Sequence, residues 1–149
     1  MPKKIAVDFD GTLCEYAFPK IGNQTPEQKE LLELLIELKK EGHKIILWTN
    51  RGDNEEYKVL TEAVDWCRSK GLEFDAVNEN LPDQEKISGY SPKIMADYYI
   101  DDKALQFGEE VSRRQTLDLI KNNFNKQKYE QTETNSNSAS KKRFSENQK

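Results

Sequence analysis

Lys4 to Phe9 is a short, nearly continuous apolar run with β-branched residues, ended by an acidic group and Gly11. Apolar residues at nearly every position, rather than at alternate ones, predict a strand buried on both faces and therefore central in a sheet. From Thr25 the period changes. Thr25 suits an N-cap, Pro26 the first helical position and Gln28 the closing residue of a capping box. Leu31, Leu32, Leu34, Leu35 and Leu38 follow at helical spacing, with charged residues opposite and Gly42 as the stop. Lys44 to Trp48 predicts a second buried strand. Asp53 or Asn54 starts a second helix, with Val59, Leu60, Ala63, Val64 and Cys67 on its apolar side and a stop near Gly71. Phe74 to Val77 is a weaker third strand, residues 78–92 a polar loop with Pro82 and Gly89, and Tyr98 to Ile100 a fourth strand running into Asp101 and Asp102. A last helix is expected from near Ser112 to Phe124. Strands alternating with helices predict βαβ units: an α/β, three-layer Rossmann-like fold with a mostly parallel central sheet.

The chain has 149 residues, enough for one ordinary domain and hardly for two. We expect that domain at residues 1–125. After Phe124 apolar residues nearly vanish, too few to offset chain entropy, so residues 126–149 are expected to form a disordered polar tail. The tail holds six basic and three acidic residues against an overall charge of −4, which leaves −7 on residues 1–125. An acidic domain argues against general nucleic-acid binding, and Lys141, Lys142 and Arg143 in the tail suggest such contact only weakly. No segment approaches a membrane span and no signal-peptide core follows the N-terminus, so a cytoplasmic protein with no membrane partner is expected. Cys14 and Cys67 lack the spacing of a metal or redox pair and are expected to be reduced thiols. No internal repeat is found. His43 is expected to make a local polar contact, and Trp48 and Trp66 to pack in or near the core.

In a doubly wound sheet the ligand lies beyond the carboxyl ends of the strands. There the first strand ends Asp8-Phe9-Asp10-Gly11-Thr12-Leu13, the second Trp48-Thr49-Asn50-Arg51 and the fourth Ile100-Asp101-Asp102. Two carboxylates one residue apart share a side of an extended strand, with Cα atoms roughly 7 Å apart. At about 6 Å and an effective dielectric near 20 their repulsion is on the order of 3 kcal/mol, and Asp101 adds to it. A hard divalent cation with oxygen ligands, Mg²⁺ above all, relieves that repulsion and binds a phosphate oxygen at the same time. Gly11 permits a sharp turn in which backbone groups approach an anion. Capping of the following segments would explain one such Asp, but not the set.

Asp8-Phe9-Asp10-Gly11-Thr12-Leu13 resembles the first motif, Asp-x-Asp-x-Thr-Leu, of the haloacid dehalogenase superfamily. Thr49 resembles the second motif. Lys93, after Ser91-Pro92 and eight residues before Asp101, resembles the third, with Lys86 as the substitute; Ile100-Asp101-Asp102 is similar to the fourth in its adjacent-pair form. The resemblance spans residues 4–102, and Pro19-Lys20-Ile21-Gly22 is similar to small bacterial members of unassigned substrate. It implies a phosphohydrolase acting through an aspartyl-phosphate, with Asp8 as nucleophile and Asp10 as general acid and base. It further implies Mg²⁺ held by Asp8, the main-chain carbonyl of Asp10 and Asp101, with Asp102 orienting water or Lys93; which of Asp101 and Asp102 touches the metal stays open. Thr49, Asn50 and Lys93 would bind the phosphoryl oxygens, with Arg51 as an extra contact.

Neither interval that holds a cap domain in other members has room for one here: residues 13–25 suffice for a short flap only. A capless site implies a macromolecular phosphate or a homo-oligomer whose neighbour covers the cleft, and a small phosphorylated molecule fits if the loop at 78–92 closes over it. Tyr16, Phe18 and Tyr90 lie in the loops nearest the site and are candidates to meet the organic part of a substrate. Two rivals remain. A receiver-type phospho-acceptor switch uses similar residues, but in the opposite chain order, and a catalytically silent binding module would more simply have lost Asp10.

Overall fold

The computed structural model describes residues 2–84, 91–103 and 113–146. The elements are β1 (Lys4–Val7), α1 (Pro26–Lys40), β2 (Lys44–Leu47), α2 (Val59–Ser69), β3 (Ala76–Val77), β4 (Tyr98–Ile100) and α3 (Arg113–Glu146). The four strands form one all-parallel sheet in the order β3-β2-β1-β4, with Val7 in register with Leu47 on one side and Ile100 on the other. This is the expected three-layer α/β class, with an open sheet, and among the described strands it is parallel throughout. The chain steps outward from β1 through β2 to β3, then returns to place β4 on the opposite edge of β1. That reversal makes a crevice between the carboxyl ends of β1 and β4.

Burial follows the apolar runs. Ile5, Ala6 and Val7 of β1 and Ile45, Ile46 and Leu47 of β2 are all buried. Ala6, Ile46 and Ala76 share one face with Ile94, and Trp48, Leu81 and Ala96 pack against them. By strand alternation Ile5, Val7, Ile45 and Leu47 turn to the other face. Just past β1, the Phe9 ring meets Trp66 of α2 edge-on at 5.6 Å. Each fully buried aliphatic side chain contributes about 1.5–3 kcal/mol relative to exposure. His43 makes the local contact expected of it, its Nδ1 accepting from the Lys3 N–H.

α1 starts as its sequence predicts. The Thr25 hydroxyl accepts from the Gln28 N–H, and the Gln28 side chain accepts from the Thr25 N–H. It ends at Gly42 (φ +98°), where the Gly42 N–H donates to Lys39 O and the His43 N–H to Leu38 O, the paired bonds of a Schellman stop. α2 closes the same way at Gly71, with Gly71 and Leu72 donating to Arg68 O and Cys67 O. The start of α2 differs from expectation. Asn54 makes a turn, accepting from the Glu56 and Tyr57 N–H groups, and the helix begins only at Val59. Asp53 still serves as the cap, but across the turn, accepting from the Leu60 and Thr61 N–H groups.

The chain divides into two compact units, Met1–Leu105 and Gln106–Lys149. The expected boundary after residue 125 therefore falls earlier. The second unit carries α3, which continues past Phe124 to Glu146, where composition predicted a disordered tail. Residues 113–146 contain neither Pro nor Gly, so nothing breaks the backbone ladder. The Thr132 and Thr134 hydroxyls bond back to the carbonyls of Lys128 and Glu130. Among the described residues no helix is long and apolar enough to cross a membrane.

Candidate active site

β1 sets the site by continuing its ladders one residue beyond the strand. The Asp8 N–H donates to Ile100 O at 2.9 Å, and the Trp48 N–H donates to Val7 O at 2.8 Å. Asp8 thus stands between the ends of β2 and β4. The chain then turns tightly: the Thr12 and Leu13 N–H groups both donate to Phe9 O, and the Gly11 N–H donates to Cys14 O. Gly11 takes φ +84°, and a Cβ there would lie 2.2 Å from Asp102 Oδ2. Glycine is required twice over, for the backbone and for the close approach of that carboxylate. Thr12 joins the two strand ends, its hydroxyl facing Asp8 Oδ2 at 3.4 Å and accepting from the Asp102 N–H at 3.1 Å.

Asp8, Asp101 and Asp102 each bring one carboxylate oxygen to a common point, all within 4.8 Å of one another, a spacing at which a single cation can be shared. Burial, with the charges of Asp101 and Asp102 beside it, pushes the Asp8 carboxyl up to about 7. The Asp101 carboxylate also accepts from the Lys103 N–H.

The side chain of Asp10 belongs elsewhere, which corrects the expectation of a repelling Asp8–Asp10 pair. Asp10 faces Arg51 in a two-pronged ion pair, with Nε donating to Oδ2 and Nη2 to Oδ1, both at 2.8 Å. The Arg51 side chain is 1% exposed. Its remaining N–H groups reach the carbonyls of Lys20 (3.0 Å), Val59 (3.0 Å) and Pro19 (3.3 Å). All five guanidinium donors are therefore in use. The arginine expected as an extra phosphate contact is a clamp within the protein, and the bond to Asp10 raises its already high pKa.

At the end of β2 the Thr49 hydroxyl accepts from the Arg51 N–H, leaving its own O–H to donate, and Asn50 is exposed beside it. Asn78, with φ 54°, braces this loop: its carboxamide accepts from the Thr49 N–H and donates to Arg51 O. A cleft of about 360 Å³ opens over these groups, lined by Asp8, Asp10, Thr49, Asn50, Asp101 and Asp102 together with Tyr16, Phe18, Arg51 and Lys103. Residues 15–24 form the expected short flap. Its base is held by the Glu15 N–H donating to Asn23 O and by Gln24 donating to Leu13 O, and Tyr16 and Phe18 stand largely exposed at the cleft.

Lys93 does not line this cleft. It is exposed, with Nζ 5.9 Å from the centre of the Tyr99 ring, while Lys86 and Tyr90 lie outside the described residues. Among the described residues the lysine that lines the cleft is Lys103, which sequence reasoning missed. Its Nζ is 3.7 Å from Asp102 Oδ2 and 5.8 Å from the Tyr16 ring centre. Its place directly after the acidic pair was the available signal. Thr12 stood in the predicted first motif without a role of its own; Asn78, one residue past a predicted strand, was missed and gave no motif.

A solved structure of a conserved protein from Bacteroides thetaiotaomicron matches with 40% sequence identity over 83% of this chain and 93% of that one, at a TM-score of 0.63. The chain belongs to that protein's family. The share of the Bacteroides protein that is matched includes nearly its whole length, so the likeness extends well beyond the strand ends. No family model matches the chain, and no curated protein does.

Proposed function

We propose that the protein is a Mg²⁺-dependent phosphohydrolase of the haloacid dehalogenase type, with Asp8 as nucleophile. The observation that carries this is the meeting of Asp8, Asp101 and Asp102 at the switch-point crevice. Three hard oxygen donors, one of them on a carboxyl pushed up to about 7, suit a hard divalent cation. When bound, Mg²⁺ would neutralise the crowded carboxylates and polarise a phosphoryl oxygen. Asp8, Asp101, Asp102 and the main-chain carbonyl of Asp10 are the groups that would hold it.

Asp8 attacks phosphorus to form the aspartyl-phosphate as the ester P–O bond breaks, and Asp10 gives the leaving oxygen its proton. Water then attacks phosphorus, its proton passes to Asp10, and Asp8 and inorganic phosphate are released. Each Asp10 oxygen has a second lone pair beyond the one Arg51 occupies, where such a proton can reside. The Thr49 hydroxyl, the Asn50 N–H and Lys103 are the groups at the cleft suited to bind phosphoryl oxygens. Lys103 here takes the part that the resemblance gave to Lys93. The open cleft and short flap favour a phosphorylated substrate, small or macromolecular, or closure by a second copy of the chain. We place the protein in the cytoplasm, since Cys14 and Cys67 are buried free thiols.

A second reading has one observation in its favour. Asp10 already accepts on both oxygens from Arg51, as it would in a phospho-acceptor switch or silent module that has no use for a proton donor. Steady-state phosphate release from a panel of phosphate esters with Mg²⁺ separates them. The hydrolase turns over many times, and Asp8→Asn or EDTA abolishes release, by more than about 10⁴-fold in kcat for the mutant. A switch takes up one phosphoryl group per chain and holds it; a silent module does neither.

A further inference from the structure

A buried guanidinium needs all its N–H groups satisfied, and where the partners come from shows what it ties together. Arg51 draws two from the Asp10 carboxylate, two from the flap carbonyls of Pro19 and Lys20, and one from Val59 O at the start of α2. Its Cζ lies over two rings, 4.9 Å from the centre of Phe9 and 5.3 Å from that of Phe18 in the flap. The flap is pinned at its base by Glu15, Asn23 and Gln24, and Gly22 lies so close to Glu15 O that a Cβ would come within 2.0 Å of it. Its outer part, which brings Tyr16 and Phe18 to the cleft, is held by Arg51.

We propose that Arg51 is a positioning residue that couples the flap to Asp10, so that the closed flap and the working orientation of the Asp10 carboxylate are one state of the molecule. The proposal rests on the hydrolase reading for its kinetic consequence, though not for the coupling itself. Lifting the flap takes two carbonyl partners and the Phe18 ring from the guanidinium; turning Asp10 away takes two other partners. Each event therefore weakens the contacts that oppose the other. A merely structural ion pair would need no flap carbonyls and no ring from the flap.

The test compares the full chain with Arg51→Lys and Asp10→Asn. Lysine keeps the charge but lacks the fork, so it cannot serve Asp10 and both flap carbonyls together. Asparagine turns an N–H toward the guanidinium in place of an oxygen. Asp10 makes none of the hydrogen bonds given above for the flap, so coupling alone carries its effect there. Exchange of the Lys20 amide, which donates to Ala17 O within the flap, should speed up at least about tenfold in both variants, with β1 and β2 protected as in wild type. With p-nitrophenyl phosphate, Arg51→Lys should lower kcat about 10²-fold and change KM less than about threefold. Unchanged flap exchange in Asp10→Asn overturns the coupling. Faster exchange in Arg51→Lys with wild-type kcat overturns the positioning of Asp10. If wild type hydrolyses no ester, the hydrolase reading fails while the exchange data still decide the coupling.

Discussion

Asp8 and Asp10 stand two residues apart on one strand end, yet the two sides of the cleft treat them in opposite ways. Asp8 is drawn in among Asp101 and Asp102, and its carboxyl is pushed up to about 7. Asp10 is met by an arginine whose fork matches both of its oxygens. One side stores repulsion that a cation can relieve; the other sets its carboxyl group against a cation of the protein's own. Residue type alone therefore says little about a carboxylate's task, because its neighbours decide whether it is available to an ion, a proton or a phosphorus atom.

Three perturbations sharpen this contrast. Gly11→Ala should have the largest effect on stability, since it strains a backbone at φ +84° and drives a methyl group into the Asp102 carboxylate. We expect a loss of about 2–3 kcal/mol in urea denaturation, together with loss of Mg²⁺ binding. Asp101→Asn should act in the opposite direction. Removing one of three crowded charges stabilises the metal-free protein by about 1 kcal/mol and abolishes stabilisation by Mg²⁺, both read from thermal melts with and without the ion. The smallest effect is a trend with pH. The folded-state pKa of Asp8 lies above its ordinary value of 3.8, so between about 4 and about 7 the folded state binds more protons than the unfolded one. The contribution of Asp8 to metal-free stability is then highest at the acid end of that window, falls as pH rises through it, and levels off above 7. Mg²⁺ affinity should rise over the same interval, because the ion competes with the Asp8 proton. Melting in EDTA across this range, with Asp8→Asn as control, isolates the trend.

Much of the fold was legible because its determinants are local. The Thr25–Gln28 capping box, the Gly42 and Gly71 stops and the apolar runs of β1 and β2 lie within a few residues of what they specify. The start of α2 was misplaced because its cap reaches across a turn, from Asp53 to Leu60 and Thr61. The polar stretch after Phe124 was read from its missing apolar face, while its continuous lack of helix breakers pointed the other way. At the site, the acidic strand ends could be brought together from topology alone, since parallel strands deliver their carboxyl ends to one crevice. The role of Arg51 could not, because its partner lies 41 residues earlier and the flap carbonyls it holds carry no side-chain signature. Lys93 was chosen by its spacing to Asp101, whereas the chain brings Lys103 to the cleft.

Trapping the aspartyl-phosphate proposed at Asp8 is the most direct test of the nucleophile. Wild type should be mixed with a hydrolysed phosphate ester and Mg²⁺, quenched in acid within the first turnovers and digested for mass spectrometry. A phosphoryl increment is expected on the peptide containing Asp8, absent in EDTA and in Asp8→Asn. Phosphate release by wild type with no modified peptide, or with the increment on another residue, would contradict it.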